Sequence, residues 1–237
     1  MNQSRAEARA EASRKGRKQF FLTIVLAAFV VILVLVAGIA LAHSAGMTAA
    51  ETQVLAQIAT SRVGGLVSFS LALDWLFSPP IALIIGVVAT GSVFAATRSW
   101  ATTLHFVLLV LGTWLSSEVI KVLVHRPRPA GKLADTLVPN PDPDSYPSGH
   151  VCFAVGLGLA IFVVAIRSRV RVIVAVLAIL LALITAATRV YLGVHYPTDV
   201  LASLVFAVAA FVGIEALWRR YAGGIFRHKP AGPPAAG

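Results

Sequence analysis

Residues 20–42 read FFLTIVLAAFVVILVLVAGIALA and contain no charged side chain. A helix needs about 20 mostly apolar residues to cross a bilayer, so this run is long enough to span one. Residues 1–19 before it are basic, and a basic segment followed by an apolar run is also typical of a signal peptide. Because the apolar run is too long for the core of a signal peptide, the pattern favours a retained first membrane span.

The rest of the chain continues this pattern. Of 237 residues, 58% are hydrophobic and 13% are charged, which is unlike a soluble domain. The net charge of +10 would suit a nucleic-acid partner, but the charges lie in short clusters between apolar runs. Such clusters are typical of loops that set membrane topology, so we expect no nucleic-acid partner. We predict an all-α, polytopic membrane protein, a six-transmembrane-helix bundle with spans at about 20–42, 70–97, 101–124, 148–166, 172–190 and 198–218.

The positive-inside rule then predicts the orientation. With a cytoplasmic amino terminus, fourteen of the 20 Lys and Arg fall in inside segments. We therefore predict a cell-membrane protein with both termini cytoplasmic. The predicted organisation is a basic cytoplasmic tail over 1–19, a six-span domain over 20–218, and a tail over 219–237. That last tail is basic and then rich in Pro, Ala and Gly, and we expect it to be disordered.

Three polar stretches stand out in this apolar chain, and the topology places all of them on the outer face. Residues 121–129 read KVLVHRPRP, residues 146–150 read YPSGH, and residues 188–199 read TRVYLGVHYPTD. The first stretch and the third supply cations. Arg128 and Arg189 offer planar forks suited to phosphate oxygens, and Lys121 offers a compact charge.

Each cation has a simpler alternative, which is that it extends along the helix to the lipid head groups. For Arg126 and Lys132 we favour that alternative. Lys121, Arg128 and Arg189 accompany histidines, and for these three we favour phosphate binding. Glu118 lies three residues before Lys121, a spacing that predicts an ion pair within one helix.

The second stretch would open a helix at Ser148-Gly149-His150, where free backbone N–H groups suit an anion. The alternative there is an ordinary helix start with Ser148 as N-cap. In the third stretch Asp199 lies four residues after His195, within reach of one imidazole nitrogen. A carboxylate there fixes the tautomer and makes the other nitrogen a better nucleophile. The alternative, that Asp199 only caps a helix, does not explain the pair.

Together the three stretches resemble a known signature. Lys121-x6-Arg128-Pro129, Pro147-Ser148-Gly149-His150 and Arg189-x5-His195-x3-Asp199 are similar to the three motifs of the type 2 phosphatidic acid phosphatase (PAP2) superfamily, in its membrane lipid phosphatase branch. One position departs from the pattern, because Thr188 stands where the family usually has Ser. A hydroxyl is retained there.

The resemblance implies roles for these residues. His195 would attack phosphorus and form a phosphohistidine, Asp199 would orient the imidazole, and His150 would protonate the leaving oxygen and then activate water. Phosphate oxygens would be held by Lys121, Arg128, Ser148, Gly149 and Arg189. No metal or other cofactor is implied.

The predicted function is metal-independent hydrolysis of a phosphomonoester or diphosphate on a lipid, at an outer-face site among membrane lipids. Polyprenyl diphosphates and phosphatidic acid are candidate substrates. Two alternatives are a phosphotransferase that uses the same phosphohistidine and a catalytically silent lipid-binding or transport protein of the same fold.

Several features outside the three stretches carry smaller predictions. Residues 43–65 predict a short surface helix with Val54, Ile58 and Val63 on its apolar side. Asp74 and His105 are ionisable residues inside or beside the predicted spans, where a functional role is one reading and an interfacial position the other.

Overall fold

The computed structural model describes residues 2–129, 137–138 and 143–222, and these residues form helices without a β-strand. The all-α prediction is thereby confirmed for the described part of the chain. A π-helical turn, Trp218–Ala222, continues the last helix. The eight α-helices are α1 Asn2–Ala42, α2 Ala45–Thr60, α3 Gly64–Leu76, α4 Pro79–Thr97, α5 Trp100–Val124, α6 Gly149–Ala165, α7 Arg171–Tyr191 and α8 Pro197–Leu217.

Among the described residues, five helical segments are long and apolar enough to cross a membrane, and they belong to α1, α4, α5, α7 and α8. Large apolar side chains are exposed on their outer faces, for example Phe21, Val87 and Val172. Water-soluble monomers rarely expose contiguous apolar surface of this kind, whereas a helix that contacts lipid requires it. The helices therefore have the surface of a bundle that crosses a membrane several times.

The predicted fourth span corresponds to α6, which has only 17 residues. At 1.5 Å per residue it is about 26 Å long, slightly less than the ~30 Å hydrocarbon core. Its buried residues run from Val151 to Ala160 with little interruption, and α5, α7 and α8 all pack against it. A helix that is apolar all round belongs in the interior of a bundle. The count of six spans stays a prediction, because α6 is shorter than the other five.

The predicted second span, 70–97, is divided into α3 and α4. The chain breaks at Phe77 and Ser78, and α4 begins with Pro79 at its first position. Proline cannot donate to the preceding turn and clashes with it, but it fits the first turn of a new helix. The dipeptide Pro79-Pro80 therefore ends one helix and starts the next.

The amino-terminal helix is longer than its apolar run. The basic residues before residue 20 continue the same helix, so α1 extends over 41 residues, or about 62 Å. Near its other end, Gly38 faces the ring of Tyr146, where a Cβ atom would overlap the ring. The Tyr146 hydroxyl also donates a hydrogen bond to the Val34 carbonyl at 2.6 Å. This contact fixes the segment that precedes α6 against α1.

A short helix, α2, is present within 43–65 as predicted, but its buried side differs from the prediction. Glu51 and Leu55 are buried, whereas Val54 and Val63 are exposed. The apolar pattern did not predict the buried face of α2, because that face contains the charged residue Glu51. Residues 223–237, most of the tail that we expected to be disordered, lie outside the described residues.

The helix ends determine where function can lie. The carboxyl ends of α5 and α7 and the amino ends of α6 and α8 meet at one end of the bundle. Because α5 contacts α6 and α8 and because α6 contacts α7 and α8, the three polar stretches that join these helices lie next to one another.

Candidate functional site

The structure brings the three polar stretches together at this end of the bundle. Five elements contribute: the last turn of α5, the loop after it, the first turn of α6, the last turn of α7 and the segment that begins α8. The eight site residues predicted from the sequence all lie on these elements: Lys121, Arg128, Ser148, Gly149, His150, Arg189, His195 and Asp199.

His195 is buried just before α8, with 1% of its surface exposed. Its Nδ1 atom lies 3.6 Å from Oδ2 of Asp199, an ion-pair distance that is slightly longer than a hydrogen bond. Its Nε2 atom lies 3.1 Å from Nη1 of Arg128. Since a guanidinium can only donate, Nε2 accepts and the proton is on Nδ1, facing the carboxylate. This is the tautomer that a nucleophilic Nε2 requires.

The surroundings of His195 also keep its imidazole neutral. Burial lowers its pKa well below the ordinary value, and the positive charges of Arg128, Arg189 and Lys121 lower it further. All three predicted phosphate-binding cations therefore act on the same imidazole. A neutral imidazole keeps its lone pair available at Nε2.

Arg128 lies on the loop after α5 and folds towards α8. Its Nη1 atom donates to the Val194 carbonyl at 3.0 Å in addition to its contact with His195. The loop is held by short antiparallel pairing of backbone groups. The backbone N–H of Ser145 donates to the Arg126 carbonyl at 2.7 Å, and the backbone N–H of Arg128 donates to the Pro143 carbonyl at 3.1 Å. These bonds set the position of the Arg128 guanidinium beside His195.

Arg189, in the last turn of α7, is paired with Asp74 of α3. Its guanidinium is 1% exposed, and Nε and Nη2 have no hydrogen-bond partner among the described residues. Buried N–H groups without a partner are costly, and a phosphate oxygen is a suitable acceptor for them. Asp74 thus belongs to the candidate site, although its position in the sequence left a functional role and an interfacial position open.

His150 lies in the first turn of α6, close to the same aspartate. Its Nε2 atom is 3.2 Å from the Asp74 carbonyl oxygen and 3.5 Å from Oδ1 of the Asp74 carboxylate. About a sixth of its side chain is exposed, more than for His195. His150 is therefore the histidine of the pair with access to solvent, as a proton donor or acceptor needs.

Lys121 and Gly149 form another side of the site. Lys121 is buried and pairs with Glu118 at 3.0 Å, so the predicted ion pair within α5 is present. A Cβ atom on Gly149 would lie 2.9 Å from Oε1 of Glu118 and 4.0 Å from the lysine Nζ. The missing side chain therefore lets the start of α6 approach the ion pair closely.

Ser148 occupies the N-cap position of α6, but its side chain makes no capping hydrogen bond. Its backbone N–H donates to Oγ of Ser203 at 2.7 Å, and its own Oγ is buried without a partner among the described residues. The alternative that Ser148 serves as an ordinary capping residue is therefore wrong for its side chain. A buried hydroxyl without a partner fits an additional ligand to a bound anion.

Arg126 was the residue that we expected to extend to the lipid head groups, and that prediction is wrong. It is 1% exposed and donates to Asp199 and, at 2.6 Å, to Glu51. Its guanidinium also lies 4.3 Å from the centre of the Tyr196 ring. No local pattern predicts this network, because Glu51 lies on α2, far from Arg126 along the chain. Lys132, for which we made the same prediction, lies outside the described residues.

Two further histidines, His125 and His105, lie outside this cluster. His125 is an exposed residue in the left-handed conformation at the end of α5, 3.1 Å from Asp144. His105 pairs with Glu215 and stacks on Trp218 at the opposite end of the bundle. Within 2–129, 137–138 and 143–222, no three His, Cys, Asp or Glu side chains form a group that could hold a metal ion.

Comparisons with known proteins agree with this geometry. The model of the PAP2 superfamily matches residues 100–222, just over half of the chain and the part that carries all eight predicted site residues. Undecaprenyl-diphosphatase BcrC of Bacillus subtilis (strain 168) is 28% identical over 116 residues, which are 48% of this chain and 57% of BcrC. The chain therefore spans little more than half of the length of that relative.

The fold has a match among solved structures. The crystal structure of a transmembrane PAP2-type phosphatidylglycerolphosphate phosphatase from Bacillus subtilis superposes with a TM-score of 0.69 at 22% identity. The match covers 81% of this chain and 95% of that one. It shows that the helical arrangement of this multi-pass membrane protein is shared with a membrane phosphatase. The motifs, the region that the family model matches and the shared fold agree, and the chain belongs to the PAP2 superfamily.

Proposed function

We propose that this protein is an integral-membrane phosphatase that hydrolyses a phosphomonoester or diphosphate on a lipid through a phosphohistidine. The observation that carries the proposal is the buried His195, whose Nε2 faces the Arg128 guanidinium while its Nδ1 faces Asp199. A neutral, oriented nucleophile beside cations is what attack on an anionic phosphorus centre requires.

In the first step, the Nε2 lone pair of His195 attacks phosphorus and forms a P–N bond. The bond from phosphorus to the leaving oxygen breaks, and a proton from His150 neutralises that oxygen as it departs. Asp199 stabilises the positive charge that develops on the His195 ring. The products are the dephosphorylated lipid, or its monophosphate, and phosphohistidine.

In the second step, water attacks the phosphohistidine. His150, now neutral, takes a proton from that water, the P–N bond breaks, and inorganic phosphate leaves. Lys121, Arg128 and Arg189 would hold the phosphoryl oxygens through both steps, with Ser148 and the N–H of Gly149 as further donors. Each of these groups acts on charge that grows in the transition state. No step uses a metal ion.

The position of the site supports a lipid substrate. It is at the end of a bundle whose outer surface is apolar, so a substrate's head group can reach the cations while its tail stays in hydrocarbon. The names of the two Bacillus proteins, an undecaprenyl-diphosphatase and a phosphatidylglycerolphosphate phosphatase, support the same substrate class. We propose that the site faces the outside of the cell membrane and that both termini are cytoplasmic, as the distribution of Lys and Arg predicts.

The test is phosphate release by the purified protein in detergent with EDTA, across polyprenyl diphosphate, phosphatidic acid and phosphatidylglycerol phosphate. We expect release with at least one lipid and none with His195→Ala. His43→Ala is the matched control, because His43 lies exposed at the end of α1 and should leave the rate unchanged. Release that persists in His195→Ala would refute the phosphohistidine, and release that needs Mg²⁺ would refute metal independence.

The same assay separates the two alternative functions. A phosphotransferase would place the phosphoryl group on an added lipid or sugar alcohol with little free phosphate. A binding protein would show neither product. Either outcome with a folded protein would overturn hydrolysis as the proposed reaction.

A further inference from the structure

Asp199 belongs to a buried network of charged side chains, and the proposed reaction steps use neither of the other two members, Arg126 and Glu51. Arg126 donates to Oδ1 of Asp199 through Nη1 and to Oε2 of Glu51 through Nη2. All three side chains are less than a tenth exposed. The network joins α2 and the loop after α5 to the first turn of α8.

We propose that Glu51 and Arg126 are positioning residues that hold the Asp199 carboxylate in place against His195. This inference rests on the proposed function, because it assigns the two residues to the nucleophile's carboxylate. Glu51 has a second task in this arrangement. It shares the positive charge of Arg126, so that Asp199 keeps enough negative charge to act on the imidazole.

The positions of the carboxylate oxygens support the claim that Asp199 is held in place. Oδ1 of Asp199 accepts from Arg126, and Oδ2 accepts from the backbone N–H of Tyr196 at 2.9 Å. With both oxygens held, the carboxylate cannot rotate, and Oδ2 is the oxygen that faces Nδ1 of His195. Arg126 therefore orients His195 through Asp199, without touching the imidazole itself.

The contacts of Glu51 support the claim that it shares the positive charge of Arg126. Its Oε1 accepts from the backbone N–H of Thr198 at 2.8 Å and from the Thr198 hydroxyl at 2.9 Å, and that hydroxyl also accepts from Arg126 at 2.8 Å. Glu51 therefore ties down the residue next to Asp199 as well as the guanidinium. Two carboxylates on one guanidinium each receive part of its charge, which leaves Asp199 net negative towards His195.

The competing explanation is a structural ion pair that only attaches α2 to the bundle. The two explanations differ in how Glu51 and Asp199 combine. If Glu51 acts through Asp199, its loss should matter only while the Asp199 carboxylate is present. If it only stabilises the fold, its effect should be the same with or without that carboxylate.

The experiment is a double-mutant cycle on the full chain in detergent, with Glu51→Gln, Asp199→Asn and the double variant. Release of ³²P from labelled phosphatidic acid and polyprenyl diphosphate measures kcat and KM, with Glu11→Gln, an exposed charge on α1, as control. We expect Glu51→Gln to lower kcat about tenfold with an unchanged KM and to have less than about a twofold effect in Asp199→Asn. A tenfold loss in both backgrounds, or no loss in the wild type, would overturn the proposal.

Arg126→Lys provides a second measurement, because it keeps the charge but loses the two-pronged contact. We expect kcat to fall about 100-fold, as for a misplaced catalytic group, while KM and the melting temperature in detergent stay close to the wild type. A rise in KM with unchanged kcat would overturn the proposal. If the activity of Asp199→Asn is below detection, Glu51→Gln alone decides. A lower kcat with an unchanged KM would support the proposal, and a higher KM with an unchanged kcat would overturn it. A wild-type protein without any phosphate release would instead refute the proposed function.

Discussion

Both ends of the bundle contain a histidine, a carboxylate and an arginine in contact. At the candidate site these are His195, Asp199 and Arg126, none more than 1% exposed. At the opposite end His105 pairs with Glu215, which also accepts from Arg219. There the arginine is 68% exposed, and the other two side chains are partly exposed. Each cluster has an imidazole, a carboxylate and a guanidinium, but the burial of these groups differs.

The second difference is what faces the imidazole. The ring of His105 stacks on Trp218, with centroids 4.8 Å apart, and its Nε2 is already bonded to Glu215. In His195 the carboxylate faces Nδ1 instead, and Nε2 faces Arg128, a cation whose hydrogen bonds a phosphate can take over. The two pairs therefore use different ring nitrogens, and at the candidate site Nε2 is left facing a cation.

The largest expected effect comes from removing that cation. Arg128→Ala should lower kcat/KM about 100- to 1,000-fold, as loss of one transition-state donor does. The matched change at the other end, Arg219→Ala, removes an exposed guanidinium that contacts Glu215 and should change kcat/KM by less than about twofold. Phosphate release from the best lipid substrate measures both. Equal losses at the two ends would contradict the comparison.

An intermediate effect is expected in the pH profile. Burial and the nearby cations lower the pKa of His195, so its protonation should reduce kcat/KM only below pH ~6.5, the ordinary histidine value. Removing the Arg128 charge should raise that pKa and move this acidic limb to higher pH. The profile of kcat/KM between pH 4.5 and 8 in both proteins is the measurement. A limb that stays in place or moves to lower pH in Arg128→Ala would refute the assignment to His195.

The smallest effect is expected at His105. His105→Gln keeps a hydrogen-bonding side chain opposite Glu215, and His105 lies about 24 Å along α5 from Lys121. We expect kcat/KM within about twofold of the wild type, together with a lower melting temperature because the stack on Trp218 is weakened. Loss of activity without loss of thermal stability would show that this end of the bundle takes part in function.

The residues that the sequence identified are those whose partners are close along the chain or follow a recognisable spacing. Glu118 and Lys121 share one helical turn, and Asp199 follows His195 by one turn, so both contacts could be predicted from helical geometry. The break within 70–97 was also signalled, by Pro79-Pro80, although a single long span was the prediction.

The residues that the sequence missed have partners on distant segments. Arg126 meets Glu51, and Arg189 meets Asp74, each across a contact that only the packed bundle creates. A cation beside an apolar helix has two low-energy options, the head groups or a buried carboxylate, and local sequence does not distinguish them. The prediction for the buried face of α2 was wrong for the same reason. Glu51 is buried because it forms an ion pair with the buried Arg126.

The shortness of α6 has a consequence for the bilayer around the bundle. At about 26 Å, α6 is shorter than a typical hydrocarbon core of ~30 Å, and its first turn carries Gly149 and His150 at the candidate site. Bilayers of different thickness would therefore change the distance between the lipid head groups and these residues, and with it how far a substrate must travel to reach the site.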